Sequence, residues 1–186
     1  MTWPLEIPMS RRRLSIPGGG RYALVPPIHD TAIDELLDAA RAVLGPAGVG
    51  WMPEGGGLLG NLPAWENLLL STQWHAPAAL SALESRLTAW MAALGYDAEG
   101  TRLLLSQQPS RLAEEDRLLV GWLRLLLVRP KLVLLAGHAL PAGVLGQRVL
   151  ALVDEELASA ALLVIDDEAP AGFIPLSIVA HEASVP

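Results

Sequence analysis

LLVGWLRLLLVRPKLVLL, residues 118–135, is the stretch that decides the fold. Residues 118–128 have the apolar pattern of a buried helix, and Pro130 follows as a residue that cannot continue one. The apolar run 132–135 has the length and composition of a strand buried in a parallel sheet. A second run of this kind, 162–165, predicts another buried strand. Helices that alternate with buried strands indicate an α/β layered fold with a mostly parallel sheet.

The chain upstream of that stretch continues the alternation. Residues 21–25 form a short apolar run that ends at two prolines, as expected of a strand that meets a turn. Residues 31–44 carry apolar side chains at spacings of three and four, which predicts a helix, and 49–52 predict a second brief strand. Helices are also predicted over 64–71 and 76–94.

Composition limits the class of protein. A chain of 186 residues can bury one sizeable core, so we expect a single domain over 1–186. The net charge of −7 disfavours nucleic acid as a partner, and the absence of cysteine excludes disulfides and thiolate metal sites. Arg124 or His138 interrupts the longest apolar stretches before they reach the ~20 residues of a membrane helix, so no membrane span is expected. Residues 1–8 lack the basic-then-apolar order of a secretory signal, so we expect a cytoplasmic location.

A family resemblance rests on two segments. GGGLLGNLPAWEN, residues 55–67, resembles the segment after the Q-loop of ATP-binding-cassette (ABC) ATPases, and residues 112–135 resemble their signature helix and the strand that follows it. The resemblance covers 23–168 and implies a truncated P-loop fold with a helical subdomain over 64–111. The sequence of residues 55–67 looks most like the corresponding segment in ATPase subunits of MCE-type lipid-trafficking transporters. The resemblance also implies that the antiparallel β subdomain has been deleted between residues 25 and 49.

The first nucleotide-binding elements depart from the family pattern. After the strand, PPIHDTAI (26–33) has neither the glycines nor the lysine of a phosphate loop, and its prolines lack N–H donors. Glu54 stands where the Q-loop glutamine belongs. The signature serine and glycines are replaced by Ala113, Glu114 and Glu115, with Asp116 next, and such carboxylates would repel ATP.

The remaining elements depart in the same way. Ala136 and Gly137 take the place of the aspartate and glutamate that end the magnesium-binding strand, and Asp166 takes the place of the switch histidine. Losing a positioned base alone typically removes about 10²–10⁴ in rate. The resemblance therefore implies that nucleotide binding is lost, that no cofactor is held, and that the chain is not an enzyme.

The implied function is that of a catalytically inactive pseudo-ATPase, a structural or regulatory subunit of a transport complex. Its partner would be a membrane permease, an intact ABC ATPase or a second copy of itself, and it would lie in the cytoplasm or at the inner face of the membrane. Apolar and aromatic side chains dominate interface energetics, although the same side chains serve equally well in a domain's own core. The predicted contact set is Leu58, Leu59, Leu62, Trp65, Leu68 and Leu69.

An alternative from a different class is a metal-dependent hydrolase. Its repurposed cleft would use Glu54, His138, Asp166 and Asp167, since strand ends in α/β folds often carry catalytic carboxylates. The histidines of the chain lack the close spacing of a zinc motif.

The basic cluster Arg11 to Arg13 is expected to be an exposed strand or loop face.

Overall fold

A computed structural model describes residues 3–10, 12–25, 28, 30–75, 80–137, 139 and 142–180. The chain divides into two units, each of which is described by itself. The sheet unit comprises 1–51, 130–137 and 159–186, and the helical unit comprises 52–129 and 138–158.

The sheet unit contains the strands and one helix. Its elements in chain order are β1 (Leu5–Pro8), β2 (Arg12–Ile16), β3 (Gly20–Leu24), α1 (Asp30–Leu44), β4 (Val49–Met52), β5 (Leu132–Ala136), β6 (Ala161–Ile165), β7 (Ile174–Leu176) and β8 (Val179–Ala180). The main sheet has five strands in the order β4-β5-β6-β3-β7. The pairs β5 with β6, β6 with β3, and β3 with β7 are parallel. This arrangement confirms the predicted α/β fold.

The middle of the main sheet is its most buried part. Every residue of β6 is buried, as are Leu132 to Leu135 in β5, because strands covered on both faces consist of continuous apolar runs. Leu36, Leu37 and Ala40 of α1 belong to the same core cluster, and their three- and four-residue spacing puts them on one face of the helix.

A second, smaller sheet lies outside the stretch between residues 25 and 49. β1, β2 and β8 form a three-stranded antiparallel sheet. Leu5 and Ile7 of β1 face the core, while Glu6 and Pro8 are exposed. This sheet comes from the two ends of the sheet unit. Between residues 25 and 49, where the resemblance implies a deleted antiparallel subdomain, the described residues form α1 and a short 3-10 turn but no strand before β4. Arg12 and Arg13 are exposed on β2, as predicted, whereas Arg11 lies outside the described residues.

The helical unit is built around one apolar helix. Its elements are α2 (Ala64–His75), α3 (Leu80–Leu94), α4 (Ala98–Ser106), α5 (Glu114–Val128) and α6 (Gly143–Glu156). α5 is central, and Leu119, Trp122 and Leu123 have no exposed surface. The Trp122 indole N–H donates to the carbonyl of Ala139 at 2.8 Å, which satisfies the polar atom of a fully buried ring.

The predicted elements are found with small shifts at their ends. The predicted helix over 76–94 is described from Leu80 onward, since 76–79 lie outside the described residues. Six described elements were not predicted from the sequence: β1, β2, β7, β8, α4 and α6. Of the helices described, none has the length and apolar character that crossing a membrane requires.

Candidate functional site

The carboxyl ends of β3, β5 and β6 lie side by side at one edge of the parallel sheet. Ile165, the last residue of β6, is in register with Leu24 of β3 and with Ala136 of β5. Gly137, just beyond β5, donates its backbone N–H to the carbonyl of Ile165 at 3.1 Å. Open α/β sheets bind ligands outside this edge, so it is the candidate cleft of the sheet unit.

The described residues give this edge little of the chemistry that nucleotide needs. Ala136 and Gly137 supply no polar side chain. Asp166 is half-buried, and its Oδ1 accepts the backbone N–H of Asp167 at 2.7 Å, while Asp167 itself is exposed. The candidate side chains described here are therefore carboxylates, which do not attract phosphate.

The only lysine in the sequence lies at the wrong end of β5. Lys131 immediately precedes the strand, where its backbone N–H donates to the carbonyl of Gly48 at 2.9 Å and its carbonyl accepts from Ala161 at 3.0 Å. A strand rises about 3.3 Å per residue, so five residues separate Lys131 from the carboxyl edge by about 17 Å. That distance exceeds the reach of a lysine side chain.

Several predicted positions fall outside this description. Pro26, Pro27 and His29, predicted to replace the phosphate loop, lie outside the described residues, as does His138.

The described residues do not assemble the alternative metal site. Glu54 is an exposed residue of the helical unit, whereas Asp166 and Asp167 belong to the sheet unit. Within the described ranges, no group of three histidine, aspartate or glutamate side chains could hold a metal ion. The hydrolase alternative is therefore not favoured.

The first turn of α5 is occupied by the predicted carboxylates. Ala113 is the N-cap and makes no side-chain cap, while Glu114 and Glu115 are exposed. Asp116 accepts a hydrogen bond from the Tyr96 hydroxyl at 2.9 Å, and burial together with that carboxylate raises the pKa of Tyr96. A helix N-terminus favours negative charge, so these acids stabilise the helix and occupy the position where an external anion would bind.

The glycine turn after β4 is clamped to α5. Gly55, Gly56 and Gly57 all have positive φ, at 72°, 87° and 61°. A Cβ on Gly56 would lie 2.4 Å from the carbonyl oxygen of Arg117, so this turn needs glycine for space as well as for conformation. This close approach holds the triple-glycine turn tightly against α5.

Arg124 holds the same turn from inside α5. Its Nη1 donates to the carbonyl of Gly57 at 2.6 Å and its Nη2 to that of Gly56 at 3.2 Å. Burial lowers the pKa of the Arg124 guanidinium. In the sequence, Arg124 stands out only because it interrupts an apolar stretch. A lone charge inside a buried helix is a signal that the charge has a structural partner.

The predicted contact residues differ in exposure. Leu59 is 52% exposed and Leu68 has no exposed surface, so Leu68 belongs to the core of the helical unit. The other four, Leu58, Leu62, Trp65 and Leu69, are half-buried.

Asn67 orders the loop that carries Leu59, a role that was not predicted from the sequence. The side chain is 2% exposed, and its Oδ1 accepts the backbone N–H of Leu59 at 2.7 Å. Its Nδ2 lies 3.2 Å, 3.1 Å and 3.2 Å from the carbonyl oxygens of Leu59, Leu62 and Pro63. Asn67 thus ties the loop before α2 to the helix. A polar residue beside a run of leucines in an apolar helix was the available signal.

Comparison with solved structures identifies the fold. An ATP-binding subunit of an ABC transporter matches with a TM-score of 0.61 and 16% identity, over 88% of this chain and 77% of that one. A Pyrococcus furiosus protein described as an ABC transporter ATP-binding protein matches with a TM-score of 0.61 and 11% identity, over 96% and 97%. The fold is that of ABC ATPase subunits. No protein-family model and no curated protein matches the sequence.

A third ABC ATPase-like match concerns a nucleotide-bound state. It is an ATP-binding cassette solved as a dimer after hydrolysis with ADP and phosphate, with a TM-score of 0.54 and 19% identity over 80% of this chain and 63% of that one. At such identities the matches support the ABC ATPase fold, and the fate of catalysis in this chain stays a prediction.

Proposed function

We propose that this chain is a catalytically inactive ABC ATPase-like subunit with a structural or regulatory role in a transport complex. The observation that carries the proposal is that Ala136 ends β5 and Gly137 follows it, where the fold's catalytic members need carboxylates for magnesium and water. The distant Lys131 and the acid-filled first turn of α5 support it. Because the sequence of residues 55–67 resembles that of ATPase subunits of MCE-type lipid transporters, we extend the proposal to this class of transporter. The chain would then lie at the inner face of the membrane.

The partner would dock on the helical unit. Exposed Leu59, on a loop held by Asn67, supplies a preorganised apolar contact, with half-buried Leu58, Leu62, Trp65 and Leu69 around it. Preorganisation reduces the entropy that binding would otherwise cost. A permease, an intact ABC ATPase or a second copy are the partners that this function requires.

Calorimetry tests the loss of nucleotide binding. We expect no saturable heat when Mg²⁺–ATP is titrated into the chain, and an intact ABC ATPase in the same buffer supplies the positive control. Titration with Mg²⁺ or Zn²⁺ alone examines the hydrolase class. A saturable isotherm with Mg²⁺–ATP contradicts the proposal. A saturable isotherm with a metal ion alone supports the metal-dependent hydrolase instead.

Affinity purification from native-host membranes tests the docking role. We expect the tagged chain to retain a permease or an ABC ATPase, and Leu59→Asp to lose it, because a charge would have to be desolvated in the contact. Val144→Asp is the matched control, since Val144 is also an exposed aliphatic residue of the helical unit, at 65%. If both variants retain the partner equally, Leu59 is not part of the contact.

A further inference from the structure

A groove of about 370 Å³ opens among α2, α3 and α4 of the helical unit. Its apolar surface comes from Trp65 on α2, Leu87 on α3 and Leu105 on α4. Glu84 and Arg102 supply the charged groups that line it. The side chains come from three helices, so no single stretch of sequence reveals the groove.

The charges of the groove do not cancel. Arg102 is already paired with Glu99 on its own helix, its Nε donating to Oε2 at 3.1 Å. Glu84 is exposed and makes no ion pair with any residue that the structure describes. Among the lining side chains that the structure describes, Glu84 is therefore a negative charge without an ion-pair partner, in the same groove as Trp65.

Two of the hydroxyl groups that line the groove, those of Thr88 and Ser106, present acceptors. Thr88 donates its hydroxyl proton to the carbonyl of Glu84 at 2.8 Å, and Ser106 donates its own to the carbonyl of Leu103 at 2.9 Å. With those protons used inside the helices, the lone pairs of both oxygens stay available to an incoming donor.

We propose that this groove binds a cationic side chain, an arginine or lysine of a partner protein. The inference rests on the proposed function, in which the helical unit docks on a partner. The Trp65 ring attracts a cation over its face, Leu87 and Leu105 pack against the aliphatic stem, and Glu84 pairs with the charged end. A carboxylate in the same place would be repelled by Glu84.

Indole NMR with three designed peptides tests the groove. The peptides are helical and identical except for arginine, leucine or glutamate at one central position. Tryptophan is labelled with ¹⁵N in the full chain, and the signal lost in Trp65→Phe identifies the Trp65 indole. We expect the arginine peptide to shift that signal and to bind about two- to fivefold more tightly than the leucine peptide, with the glutamate peptide weakest.

Two variants of equal charge change make the test specific. Glu84→Gln should abolish the preference for arginine, whereas Glu155→Gln, at an exposed position on α6, should retain it. Raising the salt concentration should reduce the preference in the unmodified chain, because exposed charges are screened.

The outcomes separate this inference from the function on which it rests. Equal binding of the arginine and glutamate peptides, no shift of Trp65 with any peptide, or a preference that survives Glu84→Gln overturns the groove proposal. If the chain still retains a permease, the docking function stands without it. If Mg²⁺–ATP binds, the pseudo-ATPase proposal fails while the peptide result remains a valid measurement of the groove.

Discussion

Replacing Asn67 with alanine removes the side chain that ties the loop before α2 to the helix. Asn67 offers three hydrogen-bonding possibilities in this setting: one acceptor for the Leu59 N–H and two amide protons shared among the carbonyls of Leu59, Leu62 and Pro63. Because Asn67 is 2% exposed, water does not reach the side chain itself. The truncation therefore leaves backbone groups that must find new partners.

The expected loss follows from those bonds. A net hydrogen bond contributes about 0.5–1.5 kcal/mol, so three amount to about 1.5–4.5 kcal/mol. Leu59 is half exposed, and water that enters the loop will satisfy part of its backbone, which places the expectation near 2–3 kcal/mol. For a chain of this size, each kcal/mol corresponds to about 2–4 °C of melting temperature, so we expect a decrease of roughly 4–12 °C.

Urea denaturation followed by circular dichroism measures the loss. Asn61→Ala is the matched control, because Asn61 is exposed in the same loop, and its effect should stay within about 0.5 kcal/mol. Asn67→Asp keeps the acceptor for Leu59 but turns an oxygen toward the carbonyls. It should therefore cost at least as much at pH 7 and recover part of the loss in acid, where a protonated carboxyl can donate. Equal stabilities of Asn67→Ala and Asn61→Ala would refute the reasoning.

Two further predictions concern the glycine turn and the α3–α6 contact. Gly56→Ala should cost about 2–5 kcal/mol in urea denaturation, since its φ is 87° and its Cβ would clash with Arg117, whereas Gly60→Ala, with open space around it, should be neutral or slightly stabilising. Burial raises the pKa of the Glu156 carboxyl, which lies on α6. The hydrogen bonds that this carboxylate accepts from Arg129 and from Trp90 of α3 outweigh the effect of burial, so the pKa is lowered below its ordinary value of 4.5. The stability that Glu156 contributes should thus be complete above that value and disappear as pH falls through the lowered pKa. Glu156→Gln should cost about 1–3 kcal/mol at pH 7, and the difference from the unmodified chain should vanish in acid, while exposed Glu155→Gln shows neither effect. A pH-independent difference would contradict the assignment.

The buried strands could be predicted because their environment requires an unusual composition. β5 and β6 are covered on both faces, and only continuous apolar runs satisfy that environment. β1 and β2 escaped prediction because each has one exposed face and few residues. α4 escaped because nine residues are fewer than helical periodicity needs to show clearly, and α6 because Gly143 and Gly146 stand in its first turn.

The candidate cleft could be predicted only in part. Adjacency of Ala136 and Asp166 follows once two parallel strands are recognised, since their carboxyl ends share an edge. The roles of Asn67 and Arg124 could not be predicted, because the partners of both are backbone carbonyls, which every residue has. Their positions depend on how a glycine turn and a loop pack against α5 and α2.

The sequence by itself determined which chemistry the chain can offer: one lysine, no cysteine, and alanine with glycine at the end of β5. These are properties of residue type and order, and folding does not alter them. Only the tertiary structure decided that Leu68 is buried while Leu59 is exposed, and that Trp65 and Glu84 line one groove. The reason is geometric, because side chains far apart along the chain become neighbours only when helices pack, and packing decides which apolar groups remain exposed to solvent.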